Sequence, residues 1–507
     1  MRVQLVRPAT AISVSELRPG AGLPIGLAYV AAGLRAAGHE VRVVDAVGEA
    51  LGRFERIEGV AGVRRHGLSD ESILERIRPG ADLIGVACMF STEWPLAKRL
   101  IRGLRSRHPE SLIVAGGEHA TACASFALRD CPELDCCVLG EGEKTIVALA
   151  ETRGAGREPS TVAGICRRDG AATLRTPARE RIKDLDSIPW PAWDLFPVRE
   201  YIAYRITPGV HMGPSLPIMA SRGCPFECAF CSNPAMWGRL WKARDPDQVL
   251  AEMKHAMREY GITNFDFFDP TAILRKDWIL RMARLIVDHR LGVTWQLPSG
   301  TRSEALDEEV ASWLHRSGCR NIIYAPESGS DATLERIRKR ISKPHLVRSI
   351  RGAVRSGIKT KANFVIGFPD ETVGNVLESM GFAIRLAWAG LHDASFFPFS
   401  PYPGSALFDR LDAQGKLALD DGFFYGLICN KRSVDEHIPG WLAPILAHAG
   451  MLAFYLVSFT LRPGRVFGLA RSLWRREPQT RLESALLRWA ENRFGRHGAP
   501  VEQGGRA

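Results

Sequence analysis

The sequence predicts an α/β protein in three parts: a doubly wound domain, a partial (β/α)6 barrel and a helical tail. Three observations carry this. Short β-rich runs alternate with helical patterns over residues 1–150, as in a parallel sheet with crossover helices. A second strand/helix series makes only six βα steps over residues 216–414, short of the ~250 residues of a closed eight-stranded barrel. From residue 415 the chain becomes more apolar and more basic together.

In the first part, Arg2–Val6 reads as a strand and Gly26–Ala37 as a helix closed by Gly38. Strands follow at Val41–Val44, Asp82–Cys88, Leu112–Ala115 and Cys136–Leu139, with a helix over Pro95–Arg107. Ligands of such sheets bind beyond the carboxyl ends of the strands. There the sequence places Ser91-Thr92, Gly116-Gly117 and Gly140-Glu141-Gly142-Glu143. Residues 151–215 read as a connector packed across two domains, because Trp190 and Trp193 would be poorly placed in water.

The barrel strands are expected at Pro217–Ala220, Asn264–Phe268, Val293–Gln296, Asn321–Ala325, Ala362–Ile366 and Ala394–Phe397. Amphipathic helices fall between them, among them Asp247–Tyr260, Asp277–His289 and Asp307–Ser317. In the tail (415–507), Trp441–Leu461 is long enough to span a bilayer, although Pro444, His448 and Gly450 interrupt it. The basic, apolar run after Arg462-Pro463-Gly464-Arg465 reads as interfacial. Membrane-surface contact, burial against the barrel and a true span all remain open. From Asn430 onward there are twelve Lys/Arg and six Asp/Glu, so the tail supplies more than half of the net charge of +11.

Of the 507 residues, 46% are hydrophobic and 24% charged, which excludes a disordered, collagen-like or multispan chain. The first residues start as a strand without the apolar run of a signal peptide, and eleven cysteines argue against a disulfide framework. The expected location is cytoplasmic, peripheral on the membrane's inner face if the tail binds lipid.

Three cysteines decide the chemistry. Cys224-Pro225-Phe226-Glu227-Cys228-Ala229-Phe230-Cys231 is a C-x3-C-x2-C run on the loop after the first barrel strand. Such spacing lets thiolates wrap one face of an iron–sulfur cubane, and three ligands leave one iron open. A structural zinc site is the alternative, without a second ligand pair to complete it.

With an aromatic before its last cysteine and a βα barrel around it, this run resembles the radical S-adenosylmethionine superfamily. The resemblance implies that Cys224, Cys228 and Cys231 hold a [4Fe–4S] cluster whose open iron binds S-adenosylmethionine. One electron then cleaves the sulfonium and yields a 5′-deoxyadenosyl radical. It also implies that Phe230 packs near the adenine and that a flavodoxin- or ferredoxin-type donor supplies the electron. Pro326-Glu327-Ser328-Gly329-Ser330 is similar to the family's E-S-G-S segment, and Ile366-Gly367-Phe368-Pro369-Asp370-Glu371-Thr372 to its I-G-F-P-x-E-T segment. These assign Glu327, Ser328, Ile366 and Gly367 to S-adenosylmethionine; Pro401-Tyr402-Pro403-Gly404-Ser405 matches a further family turn. Arg302 is a candidate for the methionine carboxylate or else an ion-pair residue. The usual G-G-E is replaced by Phe267-Phe268-Asp269-Pro270, so Asp269 either meets the methionine ammonium or is a structural turn carboxylate.

The doubly wound, Rossmann-like domain ahead of such a barrel resembles the cobalamin (B12)-binding class. Ser91, Thr92, Gly116, Gly117, Gly140, Glu141 and Gly142 would then line the cobalamin. The D-x-H-x-x-G motif is absent, and Arg18-Pro19-Gly20-Ala21-Gly22 stands in its place. The nearby His39 and His119 read as solvated loop residues rather than cobalt ligands. The expected activity is methylation of an unactivated carbon on a hydrophobic, lipid-like or polycyclic substrate. An anaerobic oxidative cyclase is the alternative within the class. An RNA methylthiotransferase is disfavoured, because Cys123, Cys131, Cys136 and Cys137 lack cluster spacing, and no nucleic-acid partner is expected. A non-catalytic iron–sulfur protein would leave the barrel segments without a purpose.

Overall fold

The computed structural model describes residues 1–16, 20–205, 207–429 and 437–494. Arg18 and Pro19, and the chain end from residue 495, lie outside the described residues.

The parallel core of the first sheet runs, in spatial order, Glu40–Asp45, Arg2–Arg7, Leu83–Ala87, Leu112–Gly116, Cys136–Val138. Strand order therefore reverses beside Arg2–Arg7, which opens a crevice at the carboxyl ends. The sheet continues past residue 150. Ile165–Asp169 pairs antiparallel with Cys136–Val138, and Ala172–Arg175 pairs antiparallel with it in turn. The expected connector thus begins as a hairpin of the first domain. Its later part does pack inward through Trp193, whereas Trp190 stays exposed over His255. A small antiparallel sheet of Thr10–Ser13, Val63–His66 and Phe54–Arg56 was not anticipated. Its strands are only three or four residues long, and two of the three carry charges, so they show little apolar alternation.

The barrel strands are Ser215–Ile218, Asn264–Phe267, Thr294–Thr301, Cys319–Glu327, Lys359–Ile366 and Asp393–Pro398, parallel and in sequence order. The sheet is open, as expected from six steps. Ser221–Arg222 pairs with Lys242–Ala243 and closes the base of the cysteine loop.

The tail divides between the two domains. Helix Asp421–Cys429 packs on the first domain, with Phe424 against His119 and Phe126. Helix Leu442–Leu461 packs beside the last barrel strand, where Gly450 lies so close to Phe396 that a Cβ would meet its ring at 3.0 Å.

Candidate functional site

One continuous cavity of about 1020 Å³ is lined from both sides by the two domains. On the first domain its wall is the carboxyl ends of the strands, including Arg7, Ala87 and Gly116. On the barrel side it is the cysteine loop, with Pro298, Glu327, Val365 and Phe397.

Cys224, Cys228 and Cys231 all line this cavity and are half-buried, whereas the other cysteines with described side chains are buried. The loop backbone is pinned on both flanks. Ala229 N–H donates to Ile337 O at 2.8 Å, and Leu407 N–H donates to Ala229 O at 2.8 Å. Burial raises the Cys228 thiol against the opposing pull of Lys339 and Arg302, and pushes Cys231 up to about 12. Both therefore keep their protons until a metal displaces them.

Phe230 lines the cavity with its ring 5.6 Å from Phe368. Arg302 also lines it, lies over the Phe226 ring at 3.5 Å and is held by Glu304 at 2.6 Å. Its Nη1 is buried and has no hydrogen-bond partner among the described residues. Glu327 sits at a positive φ of 65° and pairs with Lys339 at 3.0 Å inside the cavity. Burial works against the Lys339 ammonium, but Glu327 and Cys228 outweigh it and raise its pKa.

Four expected contacts lie behind the barrel-side wall. Ser328 is buried against the Ser379 hydroxyl at 2.9 Å. Ile366 points to the outer, helix-covered side, because alternation along Lys359–Ile366 turns Asn363 and Val365 to the cavity. Gly367 gives its N–H to Glu371 at 2.6 Å. Asp269 is a structural turn carboxylate: it accepts from the Ser221 hydroxyl at 2.5 Å and from Ala220 N–H at 3.2 Å. Burial pushes its pKa up to about 6.

On the other wall Thr92, Gly116, Gly117, Gly140, Glu141 and Gly142 line the cavity. Gly117 has φ 117°, and a Cβ there would meet Cys88 O at 2.6 Å. Ser91 does not reach the cavity; its hydroxyl pairs with His119 Nδ1 at 2.9 Å. His119 is buried beside Trp94 rather than solvated, and neither it nor His39 lines the cavity. An apolar slot runs inward beneath the sheet between Leu5, Gly85, Val114, Val138, Val30 and Ile146.

Sequence reasoning missed the groups that join the walls. Arg222 donates to Glu143 at 2.6 Å and to Glu141 at 3.2 Å. The Ser232 hydroxyl donates to Glu118 across the same gap. Lys339 was also missed, because it lies in the run Arg336-Ile337-Arg338-Lys339-Arg340, where its arginine neighbours are exposed and it alone of the cations is buried. Arg7, Glu93 and His66 complete the cavity's deep end. There burial pushes Glu93 up to about 7 and His66 down to about 4.

Residues 16–150 match the B12 binding domain model, and residues 218–383 match the radical SAM superfamily model. The uncharacterized methyltransferase PH0819 of Pyrococcus horikoshii is 30% identical over 91% of this chain and 93% of its own length. The chain belongs to the cobalamin-binding radical SAM methyltransferase family. Cytidylyl-2-hydroxyethylphosphonate methyltransferase of Streptomyces wedmorensis is 29% identical over 82% of each chain. The methyltransferase TsrM of Kitasatospora setae, solved with cobalamin and a [4Fe–4S] cluster bound, has the same fold. Its TM-score is 0.64 at 18% identity, over 81% of this chain and 74% of TsrM.

Membership in this B12-binding radical SAM family brings three cofactors: a [4Fe–4S] cluster, S-adenosylmethionine and cobalamin. The residues present fit them. Three accessible thiols share one loop, a buried unpaired guanidinium nitrogen lies beside them, and backbone glycines floor the opposite wall.

Proposed function

We propose that this enzyme methylates an unactivated carbon of a hydrophobic small molecule. The observation that carries the reading is the single cavity shared by the cysteine loop and the carboxyl ends of the doubly wound sheet. When bound, the cluster supplies the electron that cleaves S-adenosylmethionine, and cobalamin supplies the methyl group. The chain's own residues do the rest. Cys224, Cys228 and Cys231 anchor the cluster, and Phe230 and Val365 offer apolar surface to the nucleoside. Arg302 and Lys339 present positive charge to the methionine carboxylate, while Thr92 and the glycines of both turns let the backbone approach the corrin. Phe226, Phe268, Pro298 and Phe397 make the barrel end of the cavity apolar, which favours a hydrophobic substrate and excludes water from radical chemistry. The electron donor is a small flavodoxin- or ferredoxin-type protein. Ten described cysteines without a disulfide suit the reducing cytoplasm.

The test is anaerobic reconstitution with iron, sulfide, hydroxocobalamin and S-adenosylmethionine, followed by reduction. Stoichiometric corrin together with 5′-deoxyadenosine and S-adenosylhomocysteine, the 5′-deoxyadenosine being lost in Cys228→Ala, is the expected result. A cluster that forms 5′-deoxyadenosine without any bound corrin overturns the methyl-transfer reading.

A further inference from the structure

We infer that the outer face of the helices Leu442–Leu461 and Gly464–Arg475 docks on the surface of an anionic lipid bilayer without crossing it.

The first helix has 20 residues and is apolar enough to span a membrane, but one side of it is already committed. Ala443, Ala447, Gly450, Phe454 and Ser458 recur at helical spacing and are buried. Gly450 provides the close approach to Phe396 of the last barrel strand, so crossing a bilayer would strip the barrel edge. The opposite stripe is apolar and uncovered: Trp441, Ile445, Leu452 (62% exposed) and Leu456.

The second helix buries no residue at all. At 100° per residue, Val466, Phe467, Ala470, Leu473 and Trp474 share one arc, and Arg471 and Arg475 continue from its Phe467 edge. Phe467 is 77% and Trp474 83% exposed. The turn between the helices is fixed: Arg462 donates to Ala387 O at 2.8 Å, and Arg465 donates to Leu391 O and Gly390 O at 2.6 Å each. The same contacts bring exposed Trp388 alongside.

Charge selects the occupant. Residues 437–479 contain five arginines and one glutamate. Among the described residues none of these arginines forms a salt bridge, and Arg471, Arg475 and Arg476 are exposed. Aromatic rings beside arginines on an amphipathic helix suit the headgroup region of an anionic leaflet. A second copy of the face would set arginine against arginine.

The experiment is flotation of the intact holoenzyme with vesicles of phosphatidylcholine alone or with roughly a quarter phosphatidylglycerol. Binding is read without turnover, so the result is decided independently of the methyl-transfer reading. The expected result is flotation with anionic vesicles, about tenfold weaker with neutral vesicles or at high salt. Phe467→Ser/Trp474→Ser and Arg471→Glu/Arg475→Glu should each abolish it. Neither pair touches a buried residue, so circular dichroism and iron content should match the parent and confirm folding. Wild type that stays with the aqueous phase, or variants that float like wild type, overturns the inference. A dimer that is lost in the aromatic variant, without vesicle binding, overturns it in favour of self-association.

Discussion

Arg222 Nη2 lies 2.6 Å from Glu143 Oε1, with both side chains almost fully buried between the two domains. Arg222 stands two residues before the first cluster cysteine, and Glu143 ends the Gly140-Glu141-Gly142-Glu143 turn. The same guanidinium lies over Tyr29 and Trp237. The cluster loop and the corrin-side turn are therefore held in register by one cation.

Arg222→Ala strands Glu143 as a buried carboxylate. Losing one partner of a buried pair costs about 3–5 kcal/mol, so thermal unfolding should begin well below the parent's midpoint. Glu141 keeps Arg181 at 3.1 Å, which makes Glu143 the main source of the loss. Arg222→Lys keeps the charge and should fall between the two.

Gly85 opens the apolar slot beneath the first sheet, and a Cβ there would approach Leu5 to 2.7 Å. Gly85→Val fills that space from the floor. Hydroxocobalamin affinity should drop at least about tenfold, or ~1.4 kcal/mol, in an equilibrium titration. Iron content should not change, because the cysteine loop lies on the other wall.

Lys339→Met leaves Glu327 buried without its cation and removes one of two positive groups beside Cys228. Binding of S-adenosylmethionine to the reconstituted enzyme should weaken about tenfold. Lys339→Arg should recover part of it. Equal binding in Lys339→Met and wild type would show that Arg302 alone serves the carboxylate.

Asp266 and Asp269 are both buried near the second barrel strand, and burial pushes each to about 6 from an ordinary value of 3.8. The folded protein thus holds these protons more tightly than the unfolded chain. Their contribution to stability is complete below about pH 4 and is lost as pH rises through 6. Asp266→Asn/Asp269→Asn should flatten that decline, by on the order of 2 kcal/mol per carboxylate, in thermal midpoints measured between pH 4 and 7.

Much of this was legible in the chain. Short β-rich runs between helical patterns marked the parallel strands of both sheets, and the spacing of Cys224, Cys228 and Cys231 marked the cluster loop. What escaped depended on three-dimensional phase. Ile366 and Val365 are equally apolar, and only the pleat decides that Val365 faces the cavity. Asp269 sits at a strand end, where chemistry is expected, yet its oxygens are spent on Ser221 and Ala220. Lys339 is indistinguishable by composition from its exposed arginine neighbours. The hairpin Ile165–Arg175 was read as connector because Arg167, Arg168 and Asp169 interrupt its alternation.

Phe423, Phe424 and Leu427 belong to the same apolar cluster as Ile84, Ile113 and Leu100. Lys98 also reaches Asp421 at 2.6 Å. The cobalamin-binding domain is therefore completed by residues that follow the whole barrel in the chain. On the ribosome its hydrophobic interior stays open while the whole barrel is being made, reversing the usual order in which N-terminal domains finish folding first. The barrel carries a similar debt, because Ala443, Ala447 and Phe454 of the tail belong to its own core cluster, so during synthesis both halves should depend on chaperones until the tail has emerged.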